Sequence, residues 1–193
     1  TLITSSAASD VYKRQNRKQL SEEPSRTLQE IEGETFFDGV PLEKIANEVG
    51  TPTYIYSAKS FNKQFRELEK AFKRVDSKIF YSVKANSNVN IISLFNQLDS
   101  GFDIVSSGEL HRVIAAGADP QAIIFSGVGK SVSEIDLALK TGIDCFNIES
   151  ASELDRIIER SRVLGKKPDI SVRINPDIDC LLYTSPSPRD DEL

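Results

Sequence analysis

The sequence predicts an α/β fold, a partial (β/α)8 TIM barrel of about five strands out of eight, and three observations carry that expectation. Short β-rich runs alternate with amphipathic helical stretches from Lys78 to Ile174, the order a parallel sheet with crossover helices requires. The helical stretches are punctuated by Ser-x-x-Glu starts at Ser131 and Ser150 and by Gly117, Gly142 and Gly165 at their ends, where capping boxes and left-handed C-caps are wanted. The first strand is not followed by the Gly-rich turn of a dinucleotide-binding sheet. That favours a barrel cut after its fifth strand over a complete doubly wound sheet.

Taken in order, Asn16 to Glu34 is polar and charged, contains Pro24 and reads as a flexible lead-in. Asp38-Gly39 marks a turn, Leu42 to Val49 a short helix ended by Gly50, and Thr53 to Tyr56 a β-rich run. Phe61, Phe65, Leu68 and Phe72 recur at three-to-four spacing, the apolar stripe of a helix. The alternation then runs strand Lys78 to Val83, helix Asn90 to Leu98, strand Phe102 to Val105, helix Gly108 to Ala116, strand Ile123 to Ser126 and helix Ser133 to Lys140. Strand Cys145 to Ile148, helix Ala151 to Leu164 and strand Asp169 to Ile174 complete it. Such a piece leaves two sheet edges and an apolar face uncovered, so it is expected to fold poorly alone.

Composition narrows the classes of function. With 39% hydrophobic and 27% charged residues the chain is ordinary globular material. Its net charge of -5 is spread among mixed acids and bases, which argues against a nucleic-acid partner. No run approaches the roughly 18–20 apolar residues of a membrane span, and a cytoplasmic protein is expected. Cys145 and Cys180 are spaced neither as a pair nor with the single His111 for a disulfide or a metal. Cys145 reads as core, and His111, beside Arg112, as a solvated or packing residue.

Both ends stand apart from this pattern. The chain has no methionine and begins at Thr1. Asp10 to Gln15 (DVYKRQ) can be encoded by GAT-GTG-TAT-AAG-AGA-CAG and Cys180 to Ser185 (CLLYTS) by TGT-CTC-TTA-TAC-ACA-TCT, opposite strands of one DNA word. That word resembles the transposase end of sequencing-library adapters, so residues 1–15 and 180–193 are set aside as extraneous. The expected organisation is a lead-in over residues 16–56 that contributes to a β domain and a partial barrel over 57–179.

Alternation along the strands selects the candidate site. Phe80, Ser82 and Lys84 share one face of the first strand, and Ser171, Arg173 and Asn175 the axial face of the fifth. Two cations thus reach the C-terminal strand ends, where barrel enzymes place their catalytic groups. A partly desolvated lysine gives up its charge more readily, and a neutral amine attacks an aldehyde. Lys84 suits that task, although a surface lysine just past a strand end gives the same spacing. Arg173, inside a β-branched strand, needs a partner, and Asp103 is available. A structural ion pair and a cofactor contact are both compatible with it. Gly127, Gly129 and Lys130 lack the spacing of a nucleotide phosphate loop and read as a strand-to-helix turn.

Five motifs add a family resemblance. Tyr81 to Asn86 (YSVKAN) resembles the cofactor-lysine motif of the fold type III pyridoxal-phosphate-dependent decarboxylases. Phe102 to Leu110 (FDIVSSGEL), Phe125 to Ser131 (FSGVGKS), Phe146 to Ser150 (FNIES) and Val172 to Asp179 (VRINPDID) resemble, in order and spacing, successive motifs of the diaminopimelate decarboxylase branch. The opening Phe36 to Tyr56 is similar to that branch's entry into its barrel. The resemblance implies an alanine-racemase-like barrel with a second, β-sandwich domain missing here, and pyridoxal 5'-phosphate as cofactor. It implies that Lys84 is catalytic and holds the cofactor, that Asp103 and Arg173 bind it, and that Glu109 is a nearby acid; Ser107 departs from a glycine common in the family. No metal is implied. The implied reaction of the whole protein converts meso-2,6-diaminopimelate to L-lysine and carbon dioxide in a homodimer with a shared active site. Ornithine, arginine or carboxynorspermidine decarboxylation, or a nonfunctional truncated product, are the alternatives. The stacking histidine, phosphate loop, pyridine-pairing acid and catalytic cysteine of the family lie outside the matched motifs, so this chain alone is expected to be inactive.

Overall fold

Two tight turns build the start of the described chain, which in the computed structural model comprises residues 27–174. Glu32-Gly33 has φ of 52° and 82°, and Asp38-Gly39 has 51° and 82°. Paired positive φ angles are what a two-residue hairpin turn needs to match strand twist. They fold β1 (Leu28–Ile31), β2 (Glu34–Phe37) and β3 (Val40–Pro41) into an antiparallel sheet, with Leu28 opposite Phe37 and Phe36 opposite Pro41. The flexible lead-in expected up to Glu34 is therefore corrected from residue 27 onward. β1 is exposed along its whole length, so it carried no apolar pattern to read, and turn geometry alone sets its register. Residues 16–26 of that lead-in, and both ends set aside above, lie outside the described residues.

The same unit, which extends to Ser77, contains α1 (Leu42–Val49), stopped by Gly50 at φ 79°, and α2 (Ala58–Phe72). Ser57 caps α2 by accepting the Ser60 N–H at 2.9 Å, while its own hydroxyl donates to Asp38 at 2.5 Å. Of the apolar stripe on α2, Phe65 is buried but Leu68 and Phe72 are 45% and 48% exposed. Thr53 to Tyr56 is not a strand. Its β-branched and aromatic residues have the propensity, but β1, β2 and β3 make up the sheet of this unit and give it no ladder partner.

From Lys78 the second unit is a parallel sheet of β4 (Phe80–Ser82), β5 (Gly101–Ile104), β6 (Ile123–Phe125), β7 (Cys145–Ile148) and β8 (Asp169–Val172). The strands lie side by side in sequence order, every pair parallel. A doubly wound sheet reverses its order at a switch point; this one progresses without reversal, as a barrel wall does. The crossovers are α3 (Val89–Gln97), α4 (Ser107–Ala115), α5 (Val132–Thr141) and α6 (Ala151–Leu164). Gly142 and Gly165 end α5 and α6 in the left-handed conformation.

Period-two alternation puts Phe102 and Ile104, Ile123 and Phe125, and Phe146 and Ile148 on the face that is buried, each no more than 4% exposed. The apolar residues that these helices bury include Ile92 and Phe95 of α3, Leu110 and Val113 of α4, Ile135 and Leu139 of α5, and Ile157 of α6. Full burial of each large side chain contributes about 1.5–3 kcal/mol, so the core concentrates at β5, β6 and β7. β8 is exposed on both faces, with Ile170 at 45% and Val172 at 64%. Among the described residues no helix is long and apolar enough to cross a membrane.

Candidate active site

The C-terminal strand ends are tied together by one local pattern used three times. Ser106, Ser131 and Ser150 each cap a helix by accepting the N–H of a glutamate three residues on, at 3.3 Å. Only Ser131 and Glu134 close the reciprocal box. Glu109 instead accepts the Val105 N–H at 2.8 Å, and Glu153 the Glu149 N–H at 2.9 Å, each binding the exit of its own strand. Glu134 also accepts the Ser107 N–H at 3.1 Å, reaching the loop after the preceding strand. The backbone N–H of Ser131, with the Ser131 hydroxyl and Ser107 behind it, holds the Glu134 carboxyl below its usual value. The Ser106-x-x-Glu109 start went unread in the sequence, although it repeats the pattern found at Ser131 and Ser150. Glu109, read there as an acid near the cofactor, is engaged at this backbone amide.

Lys84 does not continue the first strand, as alternation had suggested. β4 ends at Ser82, and Val83–Ala85 form a 3-10 turn in which Val83 is fully buried and Lys84 exposed. The chain turns because Val83 enters the core where an extended strand would have pointed it across the sheet. The turn is pinned on both sides. The Tyr81 hydroxyl donates to the Asn86 carbonyl at 3.0 Å while its ring stacks 4.0 Å from that of Phe95. The Asn86 side chain accepts the Asn88 N–H at 3.0 Å, the Asn88 side chain caps α3 at the Asn90 N–H, and Arg112 donates to the Ser87 carbonyl at 3.0 Å. Tyr81 and Asn86 of the motif, with Asn88 just past it, are therefore the scaffold of the turn. Among the described residues the Lys84 amine has no hydrogen bond or ion pair.

Beside it runs a polar row across four strands. Asp103 accepts from Ser82 of β4 at 3.2 Å and from the Ser126 hydroxyl, and Ser126 accepts from the Asn147 side-chain amide at 2.8 Å. Ser82, Asp103, Ser126 and Asn147 are all half-buried. The residues flanking them, Phe102, Ile104, Phe125 and Phe146, are fully buried on the opposite face, which is why the polar row faces the barrel axis. Ser82, Ser126 and Asn147 were not singled out in the sequence, and the alternation that selected Lys84 was the signal that would have found them. The expected pairing of Arg173 with Asp103 does not occur. Arg173 stands just past β8, its side chain 59% exposed, with its guanidinium 3.2 Å from Glu149. The Asp103 carboxylate is already engaged by two hydroxyls, and Glu149 lies at the exit of the neighbouring strand.

Lys130 is the opposite of Lys84. Its ammonium, 1% exposed at the side chain, donates to the Gly127 carbonyl at 2.9 Å, the Asn147 carbonyl at 2.7 Å and Glu153 at 2.9 Å, above the Phe125 ring at 5.4 Å. All three N–H donors of the ammonium are used. The segment is the strand-to-helix turn the sequence suggested, with Gly127 at φ 96° backed against Val105. The turn has no donor left for a phosphate at Lys130. His111 is exposed, and Cys145 is half-buried with its thiol pushed up by burial. Among the described residues there is no cluster of three or more metal-ligating side chains.

Comparison with known proteins identifies the family to which this fold belongs. Residues 58–185 match the family described as pyridoxal-dependent decarboxylase, pyridoxal binding domain. The chain is 49% identical over 144 residues to a diaminopimelate decarboxylase of Neisseria meningitidis, covering 75% of this chain and 36% of that protein. A crystal structure of diaminopimelate decarboxylase from Helicobacter pylori complexed with L-lysine matches with a TM-score of 0.69 and 46% identity over 72% of this chain and 35% of that one. An arginine decarboxylase of Paramecium bursaria Chlorella virus matches at 25% identity with a TM-score of 0.60, over 70% of this chain and 37% of that one. The chain thus spans about a third of the length of the curated relatives it matches. With the family match running from α2 through the whole parallel sheet, the chain belongs to the pyridoxal-dependent decarboxylases and supplies part of their pyridoxal-binding domain.

Proposed function

We propose that this chain is the front part of a longer enzyme that decarboxylates meso-2,6-diaminopimelate to L-lysine, with Lys84 as the residue that holds pyridoxal 5'-phosphate. The carrying observation is the Lys84 amine, exposed and without a partner among the described residues, on a braced turn at the end of the first barrel strand, inside the family match. An aldehyde cofactor needs an amine with no competing ligand, and Lys130, the other lysine at these strand ends, is consumed by three acceptors. The residues therefore fit the aldehyde end of the group. Asp103 and Arg173 are carried as its further contacts, Asp103 from the centre of the polar row and Arg173 from the exit of β8.

When bound, the cofactor supplies an electron sink for the pair left as carbon dioxide departs. The protein's own share is orientation and proton handling. Lys84 Nζ is placed to hold and move a proton, and the row Ser82, Asp103, Ser126 and Asn147 fixes polar groups on the axial face without reorganisation. Identity to diaminopimelate decarboxylases of 33–49%, against 25% to the arginine decarboxylase, supports the choice of substrate. The reading includes a cytoplasmic homodimer sharing its active site, a β domain completed partly by residues 16–56, and no activity in this chain alone. That last point follows from its span of about a third of its relatives.

Borohydride reduction of the longer protein loaded with pyridoxal phosphate is expected to leave the covalent label on Lys84, found by peptide mass spectrometry. Carbon dioxide release should be fastest from meso-diaminopimelate among that substrate, ornithine, arginine and carboxynorspermidine. A label on another residue overturns the role of Lys84, and a faster rate on a different amino acid overturns the substrate.

A further inference from the structure

We infer that Lys130, with Glu153, is a positioning residue for the axial polar row, an inference that rests on the function just proposed. One ammonium holds both flanks of Ser126. It binds the carbonyl of Gly127, the next residue in the chain, at 2.9 Å and the carbonyl of Asn147 at 2.7 Å. Asn147 in turn donates its side-chain amide to Ser126, whose hydroxyl donates to Asp103. The exits of β6 and β7, already neighbours in the sheet, are thus bridged by a single cation, and the donor reaching Ser126 is held from behind by its own backbone.

Glu153 completes the lock. One carboxylate oxygen takes Lys130 at 2.9 Å and the other takes the Glu149 N–H at 2.9 Å, so the same group also fixes the exit of β7 beside Arg173. Arg156 closes the far side by donating to the Lys130 carbonyl at 2.8 Å. Gly127 presses on Val105, where an added Cβ would stand 3.2 Å from the Val105 Cβ, leaving the loop little freedom to shift. A buried ion pair is seldom better for stability than an apolar pair of the same volume. Its three-way geometry, a carbonyl from the turn after β6, a carbonyl from β7 and a carboxylate from α6, has its value in fixing where Ser126 and Asn147 stand.

The test uses the longer protein loaded with pyridoxal phosphate and carrying the volume-matched double substitution Lys130→Met and Glu153→Leu. The melting temperature is expected to stay within a few degrees of the unmodified protein. In contrast, kcat should fall on the order of 10- to 100-fold with little change in KM, and the visible circular dichroism of the bound cofactor should change. Unmodified kcat or unmodified dichroism overturns the inference. If the double variant does not fold, Glu153→Gln, which keeps the volume and removes the counter-charge, should show the same two changes at smaller size. Its silence overturns the inference, and so does failure of both variants to fold, which would make the pair a support of the fold itself. An unmodified protein that binds the cofactor but releases no carbon dioxide from any amino acid sinks the decarboxylase reading alone. The dichroism comparison still decides the role of Lys130.

Discussion

Lys84 and Lys130 stand at the exits of β4 and β6, at the same end of the same sheet, and their surroundings are opposite. Lys84 is exposed on a turn braced by Tyr81, Asn86 and Asn88, and no group among the described residues competes for its amine. Lys130 is sealed, with every donor taken. The contrast teaches that a lysine's chemistry is decided by what already satisfies it, because an ammonium whose three donors are all taken has none left for a new partner. Position at a strand end is shared by both and separates neither.

Alanine at each position should split the two roles, and the larger stability effect lies at Lys130. Lys130→Ala in the longer protein leaves Glu153 and two carbonyls buried without their donor, a loss of about 3–5 kcal/mol. Lys84→Ala removes an exposed side chain with no partner and should change stability by less than about 0.5 kcal/mol, while decarboxylation falls by at least about 100-fold. Urea midpoints and carbon dioxide release measured on both variants check the split. A destabilised Lys84→Ala protein, or a Lys130→Ala protein with an unchanged midpoint, would erase the comparison.

Much of the sheet was legible because its signals are local. Cys145–Ile148 and Ala151–Leu164 form with the bounds the sequence suggested, since an apolar strand followed by a Ser-x-x-Glu cap leaves little choice. Two features of the site were not legible. Whether Lys84 faces inward depended on the strand reaching it, and the strand ended two residues earlier because Val83 is drawn into the core. The partner of Arg173 depended on which acid was already occupied, and Asp103's occupation by Ser82 and Ser126 joins residues more than twenty positions apart. The β1 hairpin failed for the contrary reason, being made by turns and carrying no buried face. Non-local satisfaction and pattern-free strands both lie beyond periodicity.

A second, smaller effect probes the Lys84 side of the comparison. Gly101 opposes Phe80 in the parallel register, and an added Cβ would overlap the Phe80 ring. Gly101→Ala must push that ring, and with it the strand that delivers the Lys84 turn, at a cost of about 1–3 kcal/mol. The expected outcome is a lower urea midpoint together with weaker pyridoxal phosphate binding by equilibrium dialysis. Near Lys130 the obstacle to such a substitution is the backbone, since Gly127 and Gly129 have φ of 96° and 73°. A Gly101→Ala protein with unchanged cofactor affinity would show that the Lys84 turn is rigid independently of β4.

The smallest effect concerns a tie at these strand ends that responds to pH. Glu134 is half-buried, accepts the Ser131 and Ser107 N–H groups at 3.0 and 3.1 Å, and its pKa is lowered from 4.5 with the Ser131 backbone bond as the leading cause. A folded-state value below the unfolded one means that the unfolded chain binds the extra proton, so the stabilisation is present above about pH 4.5 and drains away as pH falls through the lowered folded value. Glu134→Gln keeps the shape but not the charge, and should cost under about 1 kcal/mol at pH 7. The gap in urea midpoint between the two proteins should then narrow as pH falls below about 4.5. A Glu134→Gln gap that stayed constant or widened on acidification would place its effect in packing and not in the carboxylate charge that the Ser131 and Ser107 N–H groups hold.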